Sequence, residues 1–201
     1  SDKPDVRYGL EMKDVTEEAK SSDFSIFKAA VANGAIVKCM VADGVEFTRN
    51  EIDALIEFTK TQGAKGLAWM RVDNGKLDSN IAKYFSEPVQ HALIKKTGAK
   101  NGSTLFFAAD KTAKANALLS ALRKHIAEKK NLIPPGTHSF LWVTDFPLFA
   151  YNDEDDRIEA AHHLFTMPVA EDIKYLDSEP LKVRARSYDI TLNGVEVASG
   201  S

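Results

Sequence analysis

The sequence predicts an α+β protein in two parts, and three observations carry that prediction. Thr48–Gly63 (TRNEIDALIEFTKTQG) has both helix ends written into it. Gly66–Val72 (GLAWMRV) and Ser103–Ala109 (STLFFAA) are short apolar runs that read as buried strands. Ser187–Glu196 (SYDITLNGVE) places Asn193-Gly194 between two alternating runs, the strongest local signal for a tight β-hairpin. Between the middle block and the hairpin, Leu132-Ile133-Pro134-Pro135-Gly136 reads as a linker.

The 201 residues are 44% hydrophobic and 27% charged, enough apolar material for a real core. The net charge of −3 lends no independent support to nucleic-acid binding. Cys39 is the single cysteine, which excludes an intrachain disulfide and fits a reducing, cytoplasmic setting. No signal peptide, lipidation motif or long apolar run is present, so no membrane partner is expected. There is no initiator methionine, and the chain opens inside a motif; we expect a piece of a longer protein.

In chain order, Lys3-Pro4-Asp5 reads as a charged turn and Val15–Ser21 as a short helix, with Thr16 as its N-cap. Ser25–Val31, Asn33-Gly34 and Ala35–Val41 fit a hairpin, although Phe27–Val31 fits a helical turn equally well. Thr48 and Glu51 form a capping box ahead of Ile52, Leu55, Ile56 and Thr59 at helical spacing, and Gly63 stops that helix. Ser79–Phe85 and Glu87–Thr97 read as helices joined near Pro88. Asp110 is expected to cap a helix to about Lys130 with Ala117, Leu118, Ala121, Leu122 and Ile126 as its apolar stripe. Trp69 reads as a core or interface aromatic, and the lysines of this block as solvated helix faces. Phe140–Phe149 is expected to be one long strand with Pro147 at an edge, bulge or end. Tyr151–Arg157 is an acidic turn whose spacing does not match an EF-hand loop.

A tight turn at Asn193-Gly194 pairs Leu192 with Val195, Thr191 with Glu196, and Asp189 with Ala198. Asp189, Thr191 and Glu196 then share one face with the small residues Val183, Ala185, Ser187 and Ala198. Tyr188, Ile190, Leu192, Val195 and Val197 occupy the other, which reads as core. Two carboxylates with no base among them are either solvated acids on an exposed face or the holders of a divalent cation, as when Mg²⁺ arrives on a nucleotide. His162 and His163 are adjacent, so an extended backbone turns them to opposite faces and they do not share a metal easily. No HExxH spacing occurs, which argues against a zinc hydrolase. One packed core histidine is the plainer reading of the pair. His91, His125 and His138 have no companions and read as surface or packing residues.

Four stretches, Ser1–Met12 (SDKPDVRYGLEM), Phe140–Phe149 (FLWVTDFPLF), Ala160–Pro168 (AAHHLFTMP) and Arg186–Ser201 (RSYDITLNGVEVASGS), resemble the catalytic domain of bacterial-type aspartyl-tRNA synthetases. The middle block, with GAKGLAWM and GAKNGSTLFFAAD, resembles the inserted GAD-like domain of those enzymes, which also occurs in some amidotransferase subunits. The resemblance implies an inserted α/β-sandwich domain over residues 21–135, with a mixed or antiparallel sheet. Residues 1–20 and 136–201 would then form part of an antiparallel class II catalytic sheet. It implies that Asp189 and Glu196 bind ATP and its Mg²⁺, and that His162, with His163 beside it, recognises the side chain of L-aspartate. It assigns the middle block no catalytic residue. In Asp2-Lys3-Pro4-Asp5 it implies a loop near the substrate end.

Departures from the family pattern are Ala150 in place of the usual glutamate, Leu164 in place of proline, and Ala198-Ser199 in place of two glycines. Motif 2 would precede Ser1, and motif 3 with a substrate-binding arginine would follow Ser201. The implied activity is therefore that of a homodimeric aspartate–tRNA ligase using L-aspartate, ATP and tRNA(Asp), with the isolated chain inactive. The alternative is a non-catalytic module in which the middle block recognises RNA or protein.

Overall fold

The computed structural model describes residues 4–152 and 154–201. The chain divides into two compact units, one built from Tyr8–Pro134 and one from Pro135–Ser201 with the residues just before Tyr8. The expectations for Asp2-Lys3 and for Asp153 within the acidic turn lie outside the described residues.

The first unit is a five-stranded antiparallel sheet with helices on both faces. Its strands are β1 (Met12–Asp14), β2 (Ile36–Ala42), β3 (Ala68–Asp73), β4 (Lys76–Asp78) and β5 (Thr104–Asp110). They lie in the order β1-β2-β5-β3-β4. β2 and β5 are central and apolar nearly throughout because both of their faces are covered. Val37, Cys39, Val41, Leu105 and Phe107 point into one core, against α1 (Thr16–Lys20), α2 (Ser25–Ala32) and α4 (Glu87–Thr97). Met40, Ala42, Phe106 and Ala108 point into the other, against α3 (Arg49–Thr61) and α5 (Thr112–Lys129). The period of two along each strand decides which core a side chain enters.

Local chemistry explains most of these elements and corrects several expectations. The Thr48 hydroxyl accepts the Glu51 N–H, and the Glu51 carboxylate accepts the Thr48 N–H at 2.8 Å, the capping box expected from sequence. Ser25–Ala32 takes the helical alternative. Thr16 does not cap α1; its hydroxyl accepts the Val37 N–H at 3.0 Å, binding α1 to β2. Ser79–Phe85 holds only a 3-10 turn over Ala82–Tyr84. Asn74 and Gly75 both adopt positive φ and turn β3 into β4, a hairpin the sequence reading did not draw. Asp110 accepts the Lys111 N–H rather than capping α5; of the expected stripe Leu122 and Ile126 are buried and Leu118 packs against the core, while Ala115 and Leu119 take the buried places expected of Ala117 and Ala121. β1 pairs with β2, so Tyr8–Lys20 packs within this first unit.

The second unit holds β6 (Phe140–Val143), β7 (Phe149–Asn152), β8 (Arg157–Ala160), β9 (Tyr188–Leu192) and β10 (Val195–Gly200). β10, β9 and β6 form an antiparallel sheet, and β7 and β8 a separate hairpin. The long strand expected over Phe140–Phe149 is broken. Asp145 takes φ +60, and Pro147 bridges Arg184, so the chain leaves β6 after Val143 and resumes as β7. The core of this unit is small: Leu148, Val183 and Ala185, with Phe146, Phe149, Tyr175 and Leu176 against it.

Candidate functional site

Asn193 and Gly194 have φ of 55° and 78°, the two positive values that a type I′ turn requires. Asparagine is apt here for a second reason. Its side-chain oxygen accepts the Ser139 N–H at 2.9 Å and its amide donates to the Thr137 carbonyl at 3.2 Å, which fastens the turn to the approach of β6.

Glu196 stands opposite Thr191, and Leu141 flanks Thr191 on the other side. Asp189 lies two residues from Thr191 on β9, opposite Val143. The pleat therefore puts Asp189, Thr191 and Glu196 on one face. A bulge between Glu196 and Ala198 moves the remaining register by one residue, so Asp189 faces Ser199 and not Ala198. Because the bulge lies beyond the Thr191–Glu196 pair, it leaves the two carboxylates on their common face.

Two buried hydroxyls stand in the same odd-numbered row as Asp189. Thr191 is fully buried, and neither its Oγ1 nor the Oγ of Ser187 has a hydrogen-bond partner among the described residues. Unsatisfied buried hydroxyls beside a pair of acids suit a site that receives a polar ligand. The opposite face departs from expectation. Tyr188 is 41% exposed, Val195 62% and Val197 52%, while Ile190 and Leu192 are half-buried, because no layer among the described residues covers them. On the acidic side Thr191 is fully buried and Asp189 half-buried, while Glu196 is exposed.

The histidines meet different neighbours, although they sit not on an extended stretch but at a bend leading into a turn, where the Thr166 N–H donates to the His163 carbonyl at 2.8 Å. His162 is half-buried and meets the Phe146 ring edge-on at 5.3 Å. His163 is exposed and lies 4.5 Å from the Phe165 ring. The Phe146 carbonyl accepts the Ala185 N–H at 2.7 Å, and the Arg186 N–H donates to Met167 at 2.8 Å. The segment just before Asp189 is thus laced to both sides of the histidine pair. No group of three or more His, Cys, Asp or Glu side chains fit to hold a metal ion occurs among the described residues. A self-sufficient protein metal centre is therefore not built here, whereas a cation shared with phosphate oxygens needs only one or two carboxylates.

Sequence reasoning missed the cluster that supports this arrangement. The Arg184 Nε donates to Asp172 at 2.7 Å, its backbone N–H donates to the same carboxylate at 3.0 Å, and its Nη1 reaches Asp145 at 3.0 Å. These bonds hold the buried Asp172 carboxyl below the usual carboxylate range. Asp145 and Asp172 stand 39 and 12 residues from Arg184, so no local pattern joins them. Elsewhere, His125 stacks on Phe58 at 4.0 Å, a packing histidine.

The GAD domain model matches residues 27–119, inside the first unit. The whole chain aligns at 50% identity with an aspartate–tRNA(Asp/Asn) ligase of Geobacillus sp. (strain WCH70). It aligns at 46% with an aspartate–tRNA ligase of Bacillus licheniformis and at 45% with an aspartate–tRNA(Asp/Asn) ligase of Rubrobacter xylanophilus. Along its whole length the chain is similar to a segment of bacterial aspartate–tRNA ligases. It spans about a third (34%) of the length of each of these three relatives while being covered completely itself. The acidic hairpin face and the histidine pair lie outside the GAD match, in the second unit. No helix among the described residues is long and apolar enough to cross a membrane.

Proposed function

We propose that this chain supplies one wall of the aminoacylation centre of a cytoplasmic, homodimeric aspartate–tRNA ligase, whose substrates are L-aspartate, ATP and tRNA(Asp). Residues 136–201 would form part of the antiparallel class II catalytic sheet and residues 21–135 the inserted domain, with residues 1–20 leading in from the catalytic part. The observation that carries this reading is the shared face of Asp189 and Glu196. A nucleotide-borne Mg²⁺ is typically held by one or two protein carboxylates together with phosphate oxygens. Asp189 and Glu196 would hold an Mg²⁺ brought by ATP, and that ion would neutralise charge on the phosphates. The partnerless Ser187 and Thr191 hydroxyls support a polar ligand on that face.

His162 would donate a hydrogen bond to the aspartate side chain, with His163 beside it. An imidazole suits that task because its charge responds to an anionic neighbour near neutral pH. Its edge contact with Phe146 fixes the ring. Activation of aspartate by ATP needs no covalent enzyme intermediate, so these residues contribute positioning and charge neutralisation. By itself the chain would not form the adenylate, because groups that act as a unit lose their joint effect when separated.

The experiment is a transplant. The segment replaces the equivalent third of the Bacillus licheniformis ligase, and aspartate-dependent ATP–pyrophosphate exchange is measured across Mg²⁺ concentrations. Exchange that requires aspartate and Mg²⁺ is the expected result. A folded chimera without exchange, or exchange catalysed by the isolated chain, would overturn the proposal.

A further inference from the structure

The first unit contains a cavity of about 810 Å3, within the range of ligand sites, that the reading above does not use. It opens where β3 stops short. β3 begins at Ala68, paired with Phe107, while β5 continues through Ala108, Ala109 and Asp110. The position beside Ala109 is therefore an unfilled place in the sheet.

Hydrogen-bond directions show what that place offers. The Val41 N–H donates to Glu11 and the Val37 carbonyl accepts from Val15, so odd-numbered residues of β2 face away from β5 and even ones toward it. The register then makes even residues of β5 face β2 and odd residues face β3. The N–H and C=O of Ala109 consequently point into the gap, and no backbone partner among the described residues meets them there. An open pair of this kind is what an extended peptide uses when it adds to a sheet.

The walls differ on the two sides of that strand position. On one side stand Phe24, Phe27 and Ile81, with Ile26 62% exposed at the rim. On the other are Lys111 and Lys114 at the start of α5, whose first turn carries no acid; Lys65 lines the loop before β3. None of these three lysines forms an ion pair among the described residues. An extended chain directs successive side chains to opposite faces, so alternating apolar and acidic residues would match both walls at once.

We propose that this notch is a docking site for a short extended peptide with alternating aliphatic and acidic residues. One residue pairs with Ala109 and continues the line of β3. Its own apolar side chain shares the face of Ala109 and enters the Phe24–Phe27 wall, while the carboxylates of its neighbours meet Lys111 and Lys114. A nucleic acid could use the lysines, but it has no use for a paired N–H and C=O at strand spacing; this favours peptide over RNA. Apart from Phe24 and Ile26, the residues named here lie within the GAD-matched range 27–119, and the site does not depend on the ligase reading.

The test uses the whole chain and a fluorescein-labelled tetrapeptide alternating valine with glutamate, read by fluorescence anisotropy. Saturable binding is expected. K111E/K114E together should weaken it at least about tenfold, a loss of roughly 1.4 kcal/mol. Circular dichroism checks that this variant is folded. N-methylating the peptide, residue by residue, should give one position with a similar loss, since it removes the N–H offered to Ala109 and leaves the protein untouched. Absence of saturable binding at millimolar peptide would overturn the proposal. So would binding indifferent to methylation at every position, or binding displaced equally well by a short oligouridylate, since either would mean a site that reads charge alone.

Discussion

The two sheets of this chain obey the same alternation and end in different situations. In the five-stranded sheet both faces are roofed by helices, and Met40, Met70, Leu105 and Phe106 have no exposed surface. In the three-stranded sheet one face carries Phe140 at 66% exposure and Trp142 at 63%. Trp142 meets Tyr188 edge-on at 5.2 Å, and the Tyr188 ring occupies the space beside Gly200 where a side chain would stand. Aromatics there shelter against each other and a glycine in place of a covering layer. The period of two settles which residues share a face; a second layer settles which face is core.

Substitutions of unequal cost break or sharpen that contrast. Phe106→Ala should lose about 3–5 kcal/mol, since it opens a void at the centre of a doubly covered strand; urea unfolding followed by far-UV circular dichroism gives the value. Thr48→Ala should lose about 1 kcal/mol by removing the cap of α3. Trp142→Ser, although it removes a larger side chain, should change stability by no more than about 0.5 kcal/mol, because most of that indole already faces solvent. A cost for Trp142→Ser comparable to that of Phe106→Ala would mean that the exposed face is covered after all.

The cap of α3 also carries a pH signature. A hydrogen bond from the Lys130 ammonium, at 2.6 Å, and the backbone bond from Thr48 hold the Glu51 carboxyl at about 2. That is below the unfolded value near 4.3, so its contribution is complete above that pH and is lost as pH falls toward 2. The stability gap between the wild type and Glu51→Gln should therefore close between about pH 4.5 and pH 2. A gap that is constant over this range would remove the ion pair from the account.

Features bounded by local chemistry were legible in the sequence. The Thr48–Glu51 box, the Asn193-Gly194 turn and the shared face of Asp189 and Glu196 each follow from residues a few positions apart. The turn at Asn74-Gly75 used the same chemistry and was passed over because β4 is only three residues long. The Arg184–Asp172–Asp145 cluster was not legible, since a buried carboxylate demands a cation without saying where in the chain it lies. The bulge after Glu196 was also invisible: nothing in Val195–Ser199 marks one residue as unpaired. It changed the partner of Asp189 from Ala198 to Ser199 and spared the site only by its position.

The central claim is that the acidic face of the β9–β10 hairpin is the one that meets ATP. In the Bacillus licheniformis chimera, Glu196→Ala should reduce aspartate-dependent ATP–pyrophosphate exchange by roughly 10²-fold or more, as expected when a preorganised charge-stabilising group is removed. Val195→Ser, on the opposite face, should leave exchange nearly unchanged, and the melting temperatures of both should stay close to the parent's. Near-parental exchange by Glu196→Ala in a folded chimera would contradict the account.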